Sequence, residues 1–174
     1  MNVSIPSKKK KCPVPTLHEK QQSLMCGKHA INNVLQRNIA TCARLRRVGK
    51  SLSRQTTIPL NELVNASTGF YDVSVLVSFL DAQGYDLEVL YPTHFYKMSR
   101  RQSPRLLGYI FGDGAHWMSV RKTRSNGCYF KIDSLDQSPE RLRIVKRWLL
   151  KNPSKLMAIK VMEPKKVNNV SIRV

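Results

Sequence analysis

Three residues have the types and spacing for nucleophilic acyl transfer: Cys26, His116 and Asp133. Cys26 stands just ahead of Ile31, Val34 and Leu35, whose spacing makes one apolar helical face, and Ser23 can cap the first turn. That places the sulfur where unpaired backbone N–H groups and the helix dipole favour an anionic nucleophile. A free cysteine is also a common small core residue, so the position alone does not decide between the two. A nucleophile needs a base. His116 follows the Gly112–Asp113–Gly114 turn and precedes Trp117, at the start of a predicted strand. Asp133, near the end of the next predicted strand, is placed to hold the imidazole in one tautomer. From spacing alone, His116 reads equally as a surface strand residue and Asp133 as a turn residue before Ser134, with Asp136 a competing carboxylate.

The elements that must position these groups form an α+β pattern. The helix bearing Cys26 is predicted over roughly 24–37, followed by a helical arm at 40–68 with Arg44, Arg46, Arg47, Lys50 and Arg54. Val75, Leu76, Phe79 and Leu80 predict a further amphipathic helix stopped by Gly84, then a strand at Leu87–Tyr91. A polar loop with Pro92 and Pro104 leads to three consecutive antiparallel strands, Leu106–Phe111, His116–Arg121 and Tyr129–Asp133, with Ser125–Asn126–Gly127 as a hairpin turn. A helix at about Glu140–Leu150 and a strand at Leu156–Met162 complete an antiparallel sheet of four to six strands packed against helices.

A longer signature narrows the chemistry. His18-Glu19-Lys20-Gln21, then Cys26-Gly27-Lys28-His29-Ala30-Ile31-Asn32-Asn33-Val34-Leu35-Gln36, resembles the HEKQ and CxxHALNNxLQ motifs of Josephin domains. Gly69-Phe70-Tyr71-Asp72-Val73-Ser74-Val75 is similar to the GxYDVNV segment of the stand-alone Josephin proteins rather than the ataxin type. His116-Trp117 and Ile132-Asp133-Ser134-Leu135 match two further motifs of the family. The resemblance covers about residues 16–162 and implies a papain-like fold with the catalytic cysteine at a helix N-terminus. It implies a thiol-dependent deubiquitinase, with Cys26 as nucleophile, His116 as base and later acid, and Asp133 as the orienting residue. Gln21, otherwise a solvated polar residue, is implied as an oxyanion donor. Ubiquitin or polyubiquitin is the implied partner and no cofactor is called for. Two rival readings are a ubiquitin-binding module with low activity and a protease of the same fold with another substrate. The chain departs from the pattern at Gly27, where a small residue such as Ala is usual, and in a longer turn between the His and Asp strands.

Composition sets outer bounds. The 174 residues suit one domain, organised as a basic flexible leader at 1–15, a catalytic domain at 16–162 and a tail at 163–174. Lysines fill the leader where a secretory signal would be apolar, and no stretch reaches the length of a membrane span, so an intracellular, soluble protein is expected. The cytoplasm is the expected compartment, and Lys8–Lys11 resemble a weak nuclear-import patch. In such a compartment Cys12, Cys42 and Cys128 receive neither disulfide nor metal-binding tasks. His29, one turn after Cys26, reads as a packed structural histidine, because no second pair of zinc ligands is present. Trp117 and Trp148 read as core or cleft-wall aromatics. Lys+Arg 30 against Asp+Glu 11 gives a net charge of +19, a field that favours nucleic acid, anionic membrane or acidic proteins and is unexplained by the resemblance.

Overall fold

The computed structural model describes residues 12–21, 25–65, 70–95, 103–124, 127–152, 155 and 157–164. The expected Ser23 cap, most of the basic leader with Lys8–Lys11, the Ser125–Asn126 turn and residues 165–174 of the tail lie outside the described residues.

The Cys26 helix, α1 (Cys26–Leu35), is buried on almost every side, with Ile31, Asn33 and Val34 fully enclosed. Helices buried all round belong at the centre of a domain. Here α1 lies across the sheet, packed chiefly on the strand that follows His116. The arm contains α2 (Cys42–Gln55) and the short α3 (Leu60–Leu63), then turns into β1 (Val64–Asn65), paired antiparallel with β2 (Phe70–Tyr71). Its end is therefore a small ribbon, where helix was expected. Asp72 caps α4 (Val73–Asp81) by accepting from the Ser74 N–H at 2.8 Å. The chain then leaves α4 through Gly84 at φ +82, a backbone conformation that suits glycine.

The main sheet has six antiparallel strands: β3 (Asp86–Leu90), β4 (Leu106–Gly112), β5 (Trp117–Lys122), β6 (Tyr129–Ile132), β7 (Glu140–Leu142) and β8 (Met157–Met162). Their order across the sheet is β3-β8-β4-β5-β6-β7. The last strand thus closes the sheet from within, between β3 and β4, and β4 is buried along its whole length. Gly108 in β4 has no room for a side chain: a Cβ there would collide with the Val120 carbonyl oxygen and the Val34 side chain of α1. That close approach brings α1 onto the sheet.

Three further expectations need correction. Residues 140–142 form the edge strand β7, and only Val145–Leu150 form the helix α6. Buried Leu142 between exposed Arg141 and Arg143 fits pairing with β6, and the helical period begins only afterwards. Pro92–Phe95, expected as loop, form the single-turn helix α5. Cys12 and Cys128, left without a task, are joined in a disulfide with their Cα atoms 6.1 Å apart, so the segment before residue 16 is tied to the β5–β6 hairpin.

Sequence reasoning also gave no role to Arg121, which is buried and donates from Nη1 to the Val34 carbonyl of α1 at 2.7 Å and to Leu107 at 3.4 Å. A guanidinium at the C-terminal end of α1 answers both the unpaired carbonyls and the negative end of the helix dipole. Arg121→Ala removes charge-assisted bonds and leaves a gap under α1; thermal or urea unfolding should show a loss of roughly 3 kcal/mol. A loss below about 0.5 kcal/mol would mean that the bond contributes little to the seating of α1.

Candidate active site

Among the described residues the segment before α1 forms no strand, and the backbone groups of Leu17 and Glu19 are satisfied by α1 side chains instead. The Gln36 amide accepts from the Leu17 N–H and donates to the Leu17 carbonyl, both at 2.9 Å. Asn33 Oδ1 accepts from the Glu19 N–H at 2.7 Å, and its amide donates to the Glu19 carbonyl at 3.3 Å. Asn32 donates to the Glu19 carboxylate at 2.9 Å and accepts from the Ile39 and Ala40 N–H groups on the far side. The spacing of the amides Asn32, Asn33 and Gln36 thus has a mechanical reading: they stand in for a neighbouring strand. Gln36 holds its post in the left-handed region, at φ 57, which is uncommon outside glycine.

The other side of this segment reaches the end of β6. His18 Nε2 lies 2.7 Å from the Asp133 carbonyl, and the Gln21 N–H donates to the Ser134 carbonyl at 2.9 Å. The Ser134 hydroxyl, buried, donates to Gln21 Oε1 at 3.0 Å. With its oxygen held in this way, the Gln21 side chain turns its NH₂ end, which has no acceptor among the described residues, away from Ser134 as a potential donor.

Cys26 is the first residue of α1 and 4% exposed. Gly27 beside it is tightly surrounded: a Cβ would stand 3.1 Å from the Tyr71 ring and 3.5 Å from Trp117. The departure at this position therefore matches close packing of the Trp117 and Tyr71 rings on the helix start. Trp117 is fixed by its indole N–H, which donates to the Tyr71 carbonyl at 2.9 Å, and by stacking on Phe70. Trp148 packs on Phe111 in the second apolar cluster, away from these groups.

His116 immediately precedes β5 and Asp133 immediately follows β6, at the open end of one hairpin, where Ser119 faces Ile132. His116 Nε2 lies 2.7 Å from Asp133 Oδ1, and the imidazole also contacts Cys26. Asp133 engages Nε2, which leaves Nδ1 as the ring nitrogen available to a nucleophile. The bond to Asp133, then the contact with Cys26, outweigh burial and push His116 up to about 9. Burial raises the Asp133 carboxyl, but bonds from His116 and the Leu135 N–H outweigh it and hold it below the usual carboxylate range. Asp136, the competing carboxylate, pairs with Lys131 at 2.8 Å.

Sequence reasoning passed over a second carboxylate. Asp113 Oδ1 accepts from the His116 N–H at 2.8 Å and the Ala115 N–H at 3.2 Å, while Oδ2 meets Lys155 Nζ at 2.7 Å. The turn before His116 is thereby an aspartate-braced one, signalled by Asp between two glycines. His29 behaves as expected of a packed residue. It is 2% exposed, with Nδ1 2.9 Å from the Glu19 carboxylate, and burial holds it below its ordinary value despite that neighbour. Among the described residues no group of His, Cys, Asp and Glu could hold a metal ion, and no helix is long and apolar enough to cross a membrane.

A cavity of about 680 Å³ opens on the arm side of the start of α1, with Met25, Cys42, Arg46, Leu60, Asn61 and Tyr71 among its walls. A thiol at a helix start, an imidazole paired with a carboxylate, and an amide held close by are the residue types that thiol acyl-transfer chemistry uses.

A family model described as Josephin matches residues 21–152. The chain belongs to the Josephin family. Human Josephin-2 is 28% identical over 145 residues, which cover 75% of this chain and 74% of that protein. Mouse Josephin-2 gives the same figures. Ataxin-3 of Rattus norvegicus is 25% identical over 139 residues, covering 71% of this chain and 38% of that protein. The likeness to Josephin-2 is thus greater than that to ataxin-3, and the family supports a function of the deubiquitinase type with ubiquitin as the partner at that coarse level.

The shift at His116 is testable. Its folded value of about 9 exceeds the ordinary 6.5, so the protonated ring stabilises the fold fully below about pH 6.5, and that contribution fades as pH rises through about 9. In an NMR titration, Asp133→Asn should bring the imidazole midpoint down by at least about one unit. An unchanged midpoint would remove Asp133 as the partner of the charged ring.

Proposed function

We propose that this Josephin-family chain is a thiol-dependent deubiquitinase that hydrolyses peptide or isopeptide bonds at the C-terminal glycine of ubiquitin. The observation that carries the reading is His116 held between Asp133, at 2.7 Å, and Cys26 at the start of α1. In this reading the Cys26 sulfur, having passed its proton to His116, attacks the glycine carbonyl carbon. The oxyanion that forms is met by the Gln21 amide and the Cys26 backbone N–H. As the tetrahedral intermediate collapses, the C–N bond breaks and His116 Nδ1 gives its proton to the departing amine. A water, deprotonated by His116, then attacks the thioester and releases ubiquitin with a free carboxylate, restoring the thiol.

Each supporting residue has a stated task. Asp133 keeps the ring in the tautomer and orientation that serve Cys26 and stabilises the imidazolium. Ser134 turns the Gln21 amide so that its NH₂ end faces the cleft. Asp113 and Lys155 brace the turn that carries the His116 backbone. The cavity beside Met25 and Tyr71 accepts the extended C-terminal tail of ubiquitin, with the α2–α3 arm as one wall. The proposal sets this activity inside the cell.

The test is hydrolysis of a ubiquitin C-terminal fluorogenic amide. Cys26→Ala should abolish turnover, and Ser134→Ala should lower kcat roughly tenfold with KM little changed, since it misorients a donor used at the transition state. Full activity of the Cys26→Ala protein would overturn the reading. A change confined to KM in Ser134→Ala would deny Gln21 its place at the oxyanion.

A further inference from the structure

One dense run of positive charge on the described surface lies on a single helix of the arm. Helix α2 carries Arg44, Arg46, Arg47, Lys50 and Arg54 and no acidic residue. Arg44 is engaged locally, donating to the Ile39 carbonyl at 2.6 Å and to Gln83 at 3.1 Å, with its guanidinium over the Phe79 ring. The other four are exposed, and none joins an ion pair among the described residues. Most carboxylates of this acid-poor chain are already matched elsewhere: Glu19 with Lys28, Asp86 with Arg105, Asp113 with Lys155, Glu163 with Arg124, Glu88 with Lys160, and Asp136 and Glu140 with Lys131.

Arg46, Lys50 and Arg54 recur every fourth residue, so they form one stripe with about 6 Å of rise between neighbours, and Arg47 flanks it. Like charges at this spacing repel and cost the helix a few tenths of a kcal/mol per pair. A local arrangement that opposes folding is a mark of a task outside folding.

We propose that the stripe on α2 is a docking surface for the phosphodiester backbone of nucleic acid, read without regard to sequence. Three of its four cations are guanidiniums, whose forked donors match phosphate oxygens. The apolar side of α2 is already used, with Leu45 buried and Val48 and Leu52 packed on the core, so nothing on this helix is free to enter a lipid layer. Its exposed residues, Ala43, Arg44, Arg46, Arg47, Lys50, Ser51, Arg54 and Gln55, include no aromatic or large aliphatic side chain. A protein partner would find no apolar anchor there, and bases would find no stacking platform, whereas phosphates need only the charges.

The experiment is fluorescence anisotropy of a labelled DNA duplex titrated with the full chain at several salt concentrations. Wild type should bind with a log affinity that falls against log salt with a slope of roughly −4 or steeper, about −0.9 per phosphate neutralised. Arg47→Ala/Lys50→Ala/Arg54→Ala, and the same positions changed to Gln as a second variant, should weaken binding at least about tenfold and make the slope shallower by roughly three. Hydrolytic activity of these variants, which leave the cavity-lining Arg46 in place, should match wild type, since none of the three altered side chains lines the cavity. The proposal is overturned if the duplex does not bind, or if both variants bind like wild type. It is equally overturned if only replacement of Lys8–Lys11 abolishes binding, or if polyglutamate or anionic vesicles are held more tightly than the duplex.

Discussion

The seating of α1 is the constraint on which the site depends. This helix carries the nucleophilic candidate at its first residue, and the sheet fixes its depth through the side-chain-free approach at Gly108 and through Arg121 at its far end. The same helix presents Asn32, Asn33 and Gln36 to the preceding segment, so that Leu17 and Glu19, outside any strand, still have their backbone groups paired. Through that grip Gln21 reaches Ser134 and His18 reaches Asp133. Four groups from the N-terminal segment, α1, and the two sides of one hairpin are thereby referred to a single rigid body.

Electrostatics inside that body separate carboxylates of identical chemistry by task. Asp133 meets the ring of His116, and Asp113 meets its backbone N–H while answering Lys155. Both are drawn below the usual carboxylate range against the pull of burial, because each accepts several hydrogen bonds as an anion. The consequence for His116 is a ring favoured in its charged form at neutral pH, next to a sulfur at a helix N-terminus. An imidazolium in that place is at once a counter-charge for a thiolate and a proton donor for a leaving amine.

Much of this was legible in the sequence, for identifiable reasons. The α4 helix and the strands β4, β5 and β6 announce themselves by period and by turn residues, and the site residues are carried by long motifs. What escaped depends on pairing between distant segments. Glu140–Leu142 is a strand only because β6 offers an edge to it, and the place of β8 inside the sheet follows from no local signal. Lys155 and Arg121 looked like two more cations in a basic chain, until the fold buried one against Asp113 and the other against the end of α1. The Cys12–Cys128 pair was hidden by an argument about compartment, which speaks to frequency and not to geometry.

The central proposal is that Cys26 is a nucleophile acting at the C-terminus of ubiquitin. The most direct measurement is covalent capture by ubiquitin bearing a thiol-reactive electrophile in place of its last carboxylate, with the adduct mapped by mass spectrometry. A single ubiquitin on Cys26, formed far more slowly in the His116→Ala protein, is the predicted result. No ubiquitin adduct, in a protein whose Cys26 still reacts with a small alkylating agent, would contradict ubiquitin as the substrate while leaving the thiol chemistry in place.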